Sequence, residues 1–160
     1  MRWIWIDKFV EFTPQHTAQA VKNVTAAEEH LYDLYPDFPI VPNSLIVEGM
    51  AQTAGILVGE ARGFLEKVVL AKIGKAVFHR LVRPGDTMIF SATIRQLSET
   101  GAAVDGTVAV GAEPVADIEL MFSHIDKNLA GIQFPEHNFI FTEQMTSMLR
   151  NVQSGKAFTI

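Results

Sequence analysis

The chain of 160 residues contains no cysteine, which removes disulfides, thiolate nucleophiles and cysteine-ligated metal or iron–sulfur centres from consideration. Charge is sparse, at 19% of residues, and basic residues are the minority, 13 against 18 acidic, for a formal charge of −5. A nucleic-acid binder needs a broad basic face, and that is missing. Also absent is any run of about 18 apolar residues that would cross a bilayer. The opening Trp3-Ile4-Trp5-Ile6 meets Asp7 too early to form the core of a signal peptide. These absences are those expected of a soluble protein of the reducing cytoplasm, so Asn23-Val24-Thr25 reads as a strand end running into a cap rather than a glycosylation acceptor.

What is present is 48% hydrophobic residues, enough for one well-packed core. Trp3 to Phe12 and Thr17 to Val24 are rich in aromatic and β-branched residues, the pattern of two strands or a hairpin. Thr25-Ala26-Ala27-Glu28 has the spacing of a capping box and predicts a short helix opening at Ala26. Pro36, Pro39 and Pro42 each push the preceding residue out of the α region, so Tyr35 to Asn43 is expected as an extended, stiff connection. Its apolar residues Phe38, Ile40 and Val41 favour a buried loop over an exposed ligand for a proline-binding domain.

From Ser44 to about Phe64 the chain has no proline and predicts a helix of about five to six turns, with Asn43 or Ser44 as its cap. Apolar and small residues surround it on nearly every face, which marks a buried helix. Gly49, Gly55 and Gly59 weaken it intrinsically, a cost expected where a flat surface such as a sheet approaches the backbone closely.

Strand signals follow at Val68 to Lys72, Ala76 to Val82, Thr87 to Arg95, Ala102 to Val110 and Val115 to Ile125, with Pro84-Gly85 suited to the centre of a type II turn. Thr142 to Val152 carries a short helical signal in an otherwise irregular tail. Strands, one long buried helix and then antiparallel strands make an α+β arrangement, most simply a curved sheet around one helix.

Glu48 stands out because its neighbours in the first turns of that helix are Leu45, Ile46, Val47 and Met50. A carboxyl group there must be paired or protonated, and a protonated one is a candidate general acid. Gln52 lies four residues on, hence on the same face, placed to hydrogen-bond that carboxyl or to hold a water beside it. On spacing alone, a structural pair and a functional site stand about level.

The run from Pro36 to Gln52, Pro-Asp-Phe-Pro-Ile-Val-Pro-Asn-Ser-Leu-Ile-Val-Glu-Gly-Met-Ala-Gln, resembles the active-site segment of the FabZ and FabA type β-hydroxyacyl-(acyl carrier protein) dehydratases. Those enzymes read His-Phe-Pro-Gly-x-Pro-x-x-Pro-Gly-x-Leu-x-x-Glu-(Ala/Gly)-x-Ala-Gln. Similarity extends to Trp5-Ile6-Asp7-Lys8-Phe9, to Val21 to Thr25, to Phe78 to Asp86 and to Glu119-Leu120-Met121. It covers about Trp3 to Asp126, which divides the chain into residues 1–126, a hot-dog domain, and a C-terminal extension, residues 127–160, with its short helix.

The resemblance implies dehydration of a 3-hydroxyacyl thioester in fatty-acid or related acyl-chain synthesis. Glu48 would protonate the departing hydroxyl, and a backbone N–H at the helix start, around Asn43 and Ser44, would polarise the carbonyl. Leu34, Asn43, Ser44, Phe78 and Arg80 would lie along the substrate channel. The substrate would arrive on the phosphopantetheine of acyl carrier protein or coenzyme A, with no separate cofactor and no metal. The assembly implied is a homodimer or trimer of dimers.

Two positions depart from the pattern. Leu34 occupies the place of the catalytic histidine, and Asn43 replaces a glycine. Leucine cannot accept a proton, and a general base contributes about 10²–10⁴ in rate. Four readings therefore stay open: an impaired dehydratase; a substitute base at His30, which would share a helix face with Leu34; a heterodimer with a histidine-bearing paralogue, because the family's sites combine both subunits; and a thioester hydrolase or acyl-binding protein. His16, His79, His124 and His137 show no metal spacing, and His124 on its strand's apolar face reads as a hydrogen-bonded core or interface residue. Arg62, Lys67, Lys72, Lys75, Arg80 and Arg83 against Glu66 give one stretch a net +5, either a solvated face or an attractor for an acidic carrier protein and its phosphate.

Overall fold

The computed structural model describes residues 3–33, 35–125, 131 and 140–153. Leu34, the boundary at Asp126, and residues 127–130, 132–139 (His137 among them) and 154–160 of the C-terminal extension lie outside the described residues. In chain order the elements are β1 (Lys8–Thr13), β2 (Thr17–Asn23), α1 (His30–Asp33), α2 (Asn43–Glu60), β3 (Val68–Phe78), β4 (Thr87–Leu97), β5 (Gly101–Val110), β6 (Glu113–His124) and α3 (Glu143–Gln153). The strands form one antiparallel sheet in the order β1-β2-β4-β5-β6-β3. Helix α2 packs against β2 to β6, so the α+β arrangement of a sheet around one helix is the fold observed.

The period-two pattern dictates which side of each strand meets that helix. Met88, Phe90 and Ala92 of β4 and Ala116, Ile118, Leu120 and Phe122 of β6 are buried against Ile46, Met50, Ala54 and Leu57 of α2. Gly49 has no side chain because the Phe90 ring lies where a Cβ would stand. The expected close approach of a sheet thus occurs at Gly49, but Gly59 is covered by the Phe141 ring from the C-terminal extension instead. Gly85, at φ 97°, with Asp86 N–H donating to the Arg83 carbonyl at 3.0 Å, makes the turn before β4 as expected.

Several local expectations are corrected by longer-range partners. Helix α2 stops at Glu60 rather than Phe64, because Gly63 and Phe64 adopt left-handed backbone angles and the Phe64 N–H turns back to the Gly59 carbonyl. Its cap is Pro42, in an extended conformation and with no side-chain cap, so Asn43 and Ser44 are the first two helical residues. The capping box does not close: Thr25 Oγ1 accepts from the Ala27 N–H, but Glu28 turns to Lys22 at 2.5 Å, and the helix begins only at His30. Strand β1 starts at Lys8 rather than Trp3. The two strands expected between Val68 and Val82 are one, β3, whose register slips on either side of Lys72–Ile73 and so disguises its alternation. Tyr35 and Phe38 are exposed around a turn, with the Arg83 guanidinium 4.4 Å above the Phe38 ring, while only Val41 of that connection is fully buried.

Candidate active site

Helix α2 carries Glu48 and Gln52 one turn apart, and the structure joins them: Gln52 Nε2 donates to Glu48 Oε1 at 2.8 Å. The amide's orientation is dictated from its other end. Gln52 Oε1 accepts the backbone N–H groups of Trp5 at 2.8 Å and Ile6 at 3.4 Å, so its nitrogen must face Glu48 and the Trp3 carbonyl, 3.3 Å away. Glu48 Oε1 is therefore an acceptor, which leaves Oε2 as the oxygen able to carry a proton.

Glu48 is half-buried and opens onto a cleft of about 280 Å³. Ala51, Gly55 and Ile56 continue its floor along α2, Val68 to Leu70 of β3 and Phe122 of β6 form one side, and Ile140, Phe141 and Met145 close the other. Among the described residues the carboxyl group has no ion-pair partner, and it is not left in open solvent. It lies at the polar end of an apolar trough.

The other residues singled out in the sequence fall into three places. Asn43 and Ser44 are exposed at the first turn of α2. His30 packs edge-on against Trp5, ring centroids 5.1 Å apart, with Nε2 3.7 Å from Glu28 Oε2. It is absent from the lining of the Glu48 cleft and is linked to it by two contacts, His30 to Trp5 and Trp5 to Gln52. Phe78 and Arg80 stand at the far end of β3, where Arg80 bridges Asp86 at 2.8 Å and Glu113 at 2.9 Å. Leu34 lies outside the described residues.

Of the basic stretch, Lys72, Lys75 and Arg83 are exposed while the other three are engaged or buried. Arg80 is held by two carboxylates, Lys67 is buried, and Arg62 donates to the Ser98 carbonyl at 2.7 Å. His124 is fully buried as a core residue, its Nδ1 3.0 Å from the Glu99 carbonyl and 2.8 Å from the Glu66 carboxylate. Among the described residues, no three His, Asp or Glu side chains converge as metal ligands, and no helix is long and apolar enough to cross a membrane.

Sequence reasoning missed the backbone of Trp3 to Ile6, which orients Gln52, and the wall contributed by Ile140, Phe141 and Met145. The first has no sequence signal, since backbone groups carry none. The second had a faint one in Gly59, a gap waiting for a large side chain.

A family model described as a FabA-like domain matches residues 3–119. The chain is 38% identical over 121 residues to the 3-hydroxyacyl-[acyl-carrier-protein] dehydratase FabZ of Caldanaerobacter subterraneus subsp. tengcongensis, covering 75% of this chain and 86% of that one. Among solved structures, the dehydratase heterocomplex ApeI:P of Xenorhabdus doucetiae superimposes with a TM-score of 0.65 at 12% identity, over 78% of this chain and 85% of that chain. A thioesterase of Haemophilus influenzae does so with a TM-score of 0.59 at 16% identity, over 72% and 75%. The fold shared with these structures is the hot dog.

Proposed function

Because this chain belongs to the FabA-like family of FabZ-type dehydratases, we propose that it acts on 3-hydroxyacyl thioesters, with Glu48 as the general acid. The observation that carries this is the Glu48 carboxyl, oriented by Gln52 at the end of an apolar cleft. In the reaction a base removes the proton beside the thioester carbonyl, and that electron pair forms the new carbon–carbon double bond. The C–O bond at the third carbon breaks, Oε2 of Glu48 gives its proton to the departing hydroxyl, and water leaves. The N–H groups of Asn43 and Ser44, at the positive end of α2, would draw charge onto the carbonyl oxygen. The substrate comes on the phosphopantetheine of acyl carrier protein or coenzyme A.

Leu34 cannot supply the base. A second reading is therefore that this chain furnishes the acid half of a site shared with a histidine-bearing paralogue. The open edge of β3 offers such a partner a place to pair, since Leu70, Ile73 and Val77 there are 40%, 46% and 40% exposed. A homodimer built on the same edge is the simpler assembly. His30 is the substitute base if the chain acts alone.

Incubating the pure protein with a 3-hydroxyacyl thioester, while following enoyl product and free thiol, tests these readings. Enoyl formation is expected to fall by about 10²–10⁴ in Glu48→Gln. Its loss in His30→Ala assigns the base, and a gain confined to Leu34→His assigns a disabled or partner-dependent dehydratase. Release of thiol that depends on Glu48, without enoyl product, overturns the dehydratase reading in favour of hydrolysis.

A further inference from the structure

We propose that the C-terminal segment around Phe141 and Met145 sets the acyl chain length this protein accepts; the proposal rests on the acyl-thioester reading above. The cleft floor on α2 is a single stripe, Glu48, Ala51, Gln52, Gly55 and Ile56, at the spacing that keeps residues on one helix face. The next position on that stripe is Gly59, and there the Phe141 ring occupies the space a Cβ would need, packed edge-to-face with Phe64, ring centroids 5.1 Å apart. Phe141 therefore stops the trough one turn beyond Ile56. Ile140 and Met145 complete the same wall.

All three residues lie beyond the 3–119 span that the family shares. The wall is thus supplied by this chain's own extension. Helix α3 is capped by Thr142, whose hydroxyl accepts the Met145 N–H at 3.1 Å, and is held in place by packing against β1. Phe141 precedes that cap directly, so the wall moves with a docked helix rather than a loose end.

The dimension follows from the helix. Glu48 to Ile56 spans eight residues, about 12 Å at about 1.5 Å per residue. An extended alkyl chain of about 1.52 Å bonds at tetrahedral angles advances about 1.25 Å per carbon. About nine carbons past the one facing Glu48 therefore cover the floor as far as Ile56, and the remaining turn to Gly59, about 4.5 Å, is little more than one van der Waals contact from the Phe141 ring. Longer chains collide with its ring or must displace α3.

The test uses the full chain and four coenzyme A thioesters, 3-hydroxybutanoyl, 3-hydroxyoctanoyl, 3-hydroxydodecanoyl and 3-hydroxyhexadecanoyl, with both calorimetric binding and enoyl formation measured. Wild type is expected to discriminate against the hexadecanoyl substrate. In Phe141→Ala the hexadecanoyl-to-butanoyl ratio should rise about fifteenfold, roughly what two more buried methylenes contribute at about fourfold each. Met145→Phe narrows the same wall and should move the ratio the other way, which keeps the test decisive if Phe141→Ala unfolds. An unchanged length profile in the folded variants overturns the proposal. If wild type binds the thioesters in a length-dependent way but forms no enoyl product, dehydration fails while the wall is still read from binding. If it binds none of them, both fall.

Discussion

Gln52 Nε2 donates to Glu48 Oε1 at 2.8 Å because the opposite end of the same amide is anchored by the Trp5 N–H, 47 positions earlier in the chain. The carboxyl group of the candidate acid is therefore oriented by the N-terminal segment as much as by its own helix. A buried amide satisfied at both ends costs about 1–3 kcal/mol when one partner is removed, because the backbone donors it held are left without an acceptor. Gln52→Ala is expected to lower stability by about that amount in urea unfolding. It should also reduce kcat more than it raises KM, since the acid loses its orientation while the cleft persists. An unchanged kcat with only a stability loss would show that the pair is structural.

Burial pushes the Glu60 carboxyl above its usual 4.5, and a hydrogen bond from the Gln15 backbone partly opposes that. The folded state thus holds this proton more tightly than the unfolded state does. Its contribution to stability is complete below the unfolded pKa and is lost as pH rises through the folded one. Glu60→Gln is accordingly expected to gain on wild type between acid and neutral pH, read as the difference between their urea midpoints. A difference that stays constant from about pH 4 to 7 would contradict this assignment.

Gly49 and the Phe90 ring share one volume, so Gly49→Ala must displace either the ring or the helix. Overpacking of this kind costs about 1–3 kcal/mol and outweighs the better helix propensity of alanine. The thermal midpoint should drop. Gly111, at φ 58° with open space around its would-be Cβ, is a useful contrast: Gly111→Ala fails through backbone strain, and Gly111→Asn should be tolerated.

The exposed row on β3 gives a test of assembly that is independent of catalysis. Sedimentation at micromolar concentration is expected to show the wild type as a dimer or larger. Ile73→Lys together with Val77→Lys places charge along the open strand and should yield monomers with the fold intact by circular dichroism. A wild type that sediments as a monomer at every concentration argues against pairing along this edge with a second copy.

Much of the molecule was legible in the order of its residues. The alternation in β4 and β6, the proline–glycine turn before β4, the buried character of α2 and the i, i+4 placement of Glu48 and Gln52 all follow from interactions within a few positions. The errors occurred where a distant group outbid a local one. Glu28 pairs with Lys22 rather than closing its own cap, and two register slips hide β3 as one strand. Arg80, in turn, pairs with Asp86 and Glu113, partners that its own segment does not announce.

Side-chain periodicity and backbone preference act over one or two turns, so the sequence by itself determined the elements, their buried faces and the single acid among apolar neighbours. Only the tertiary structure decided what that acid faces. The amide orientation depends on the backbone of Trp5, and the end of the cleft depends on Phe141 filling the space at Gly59. Both join segments dozens of residues apart, and shape complementarity at that range leaves no periodic trace in the chain.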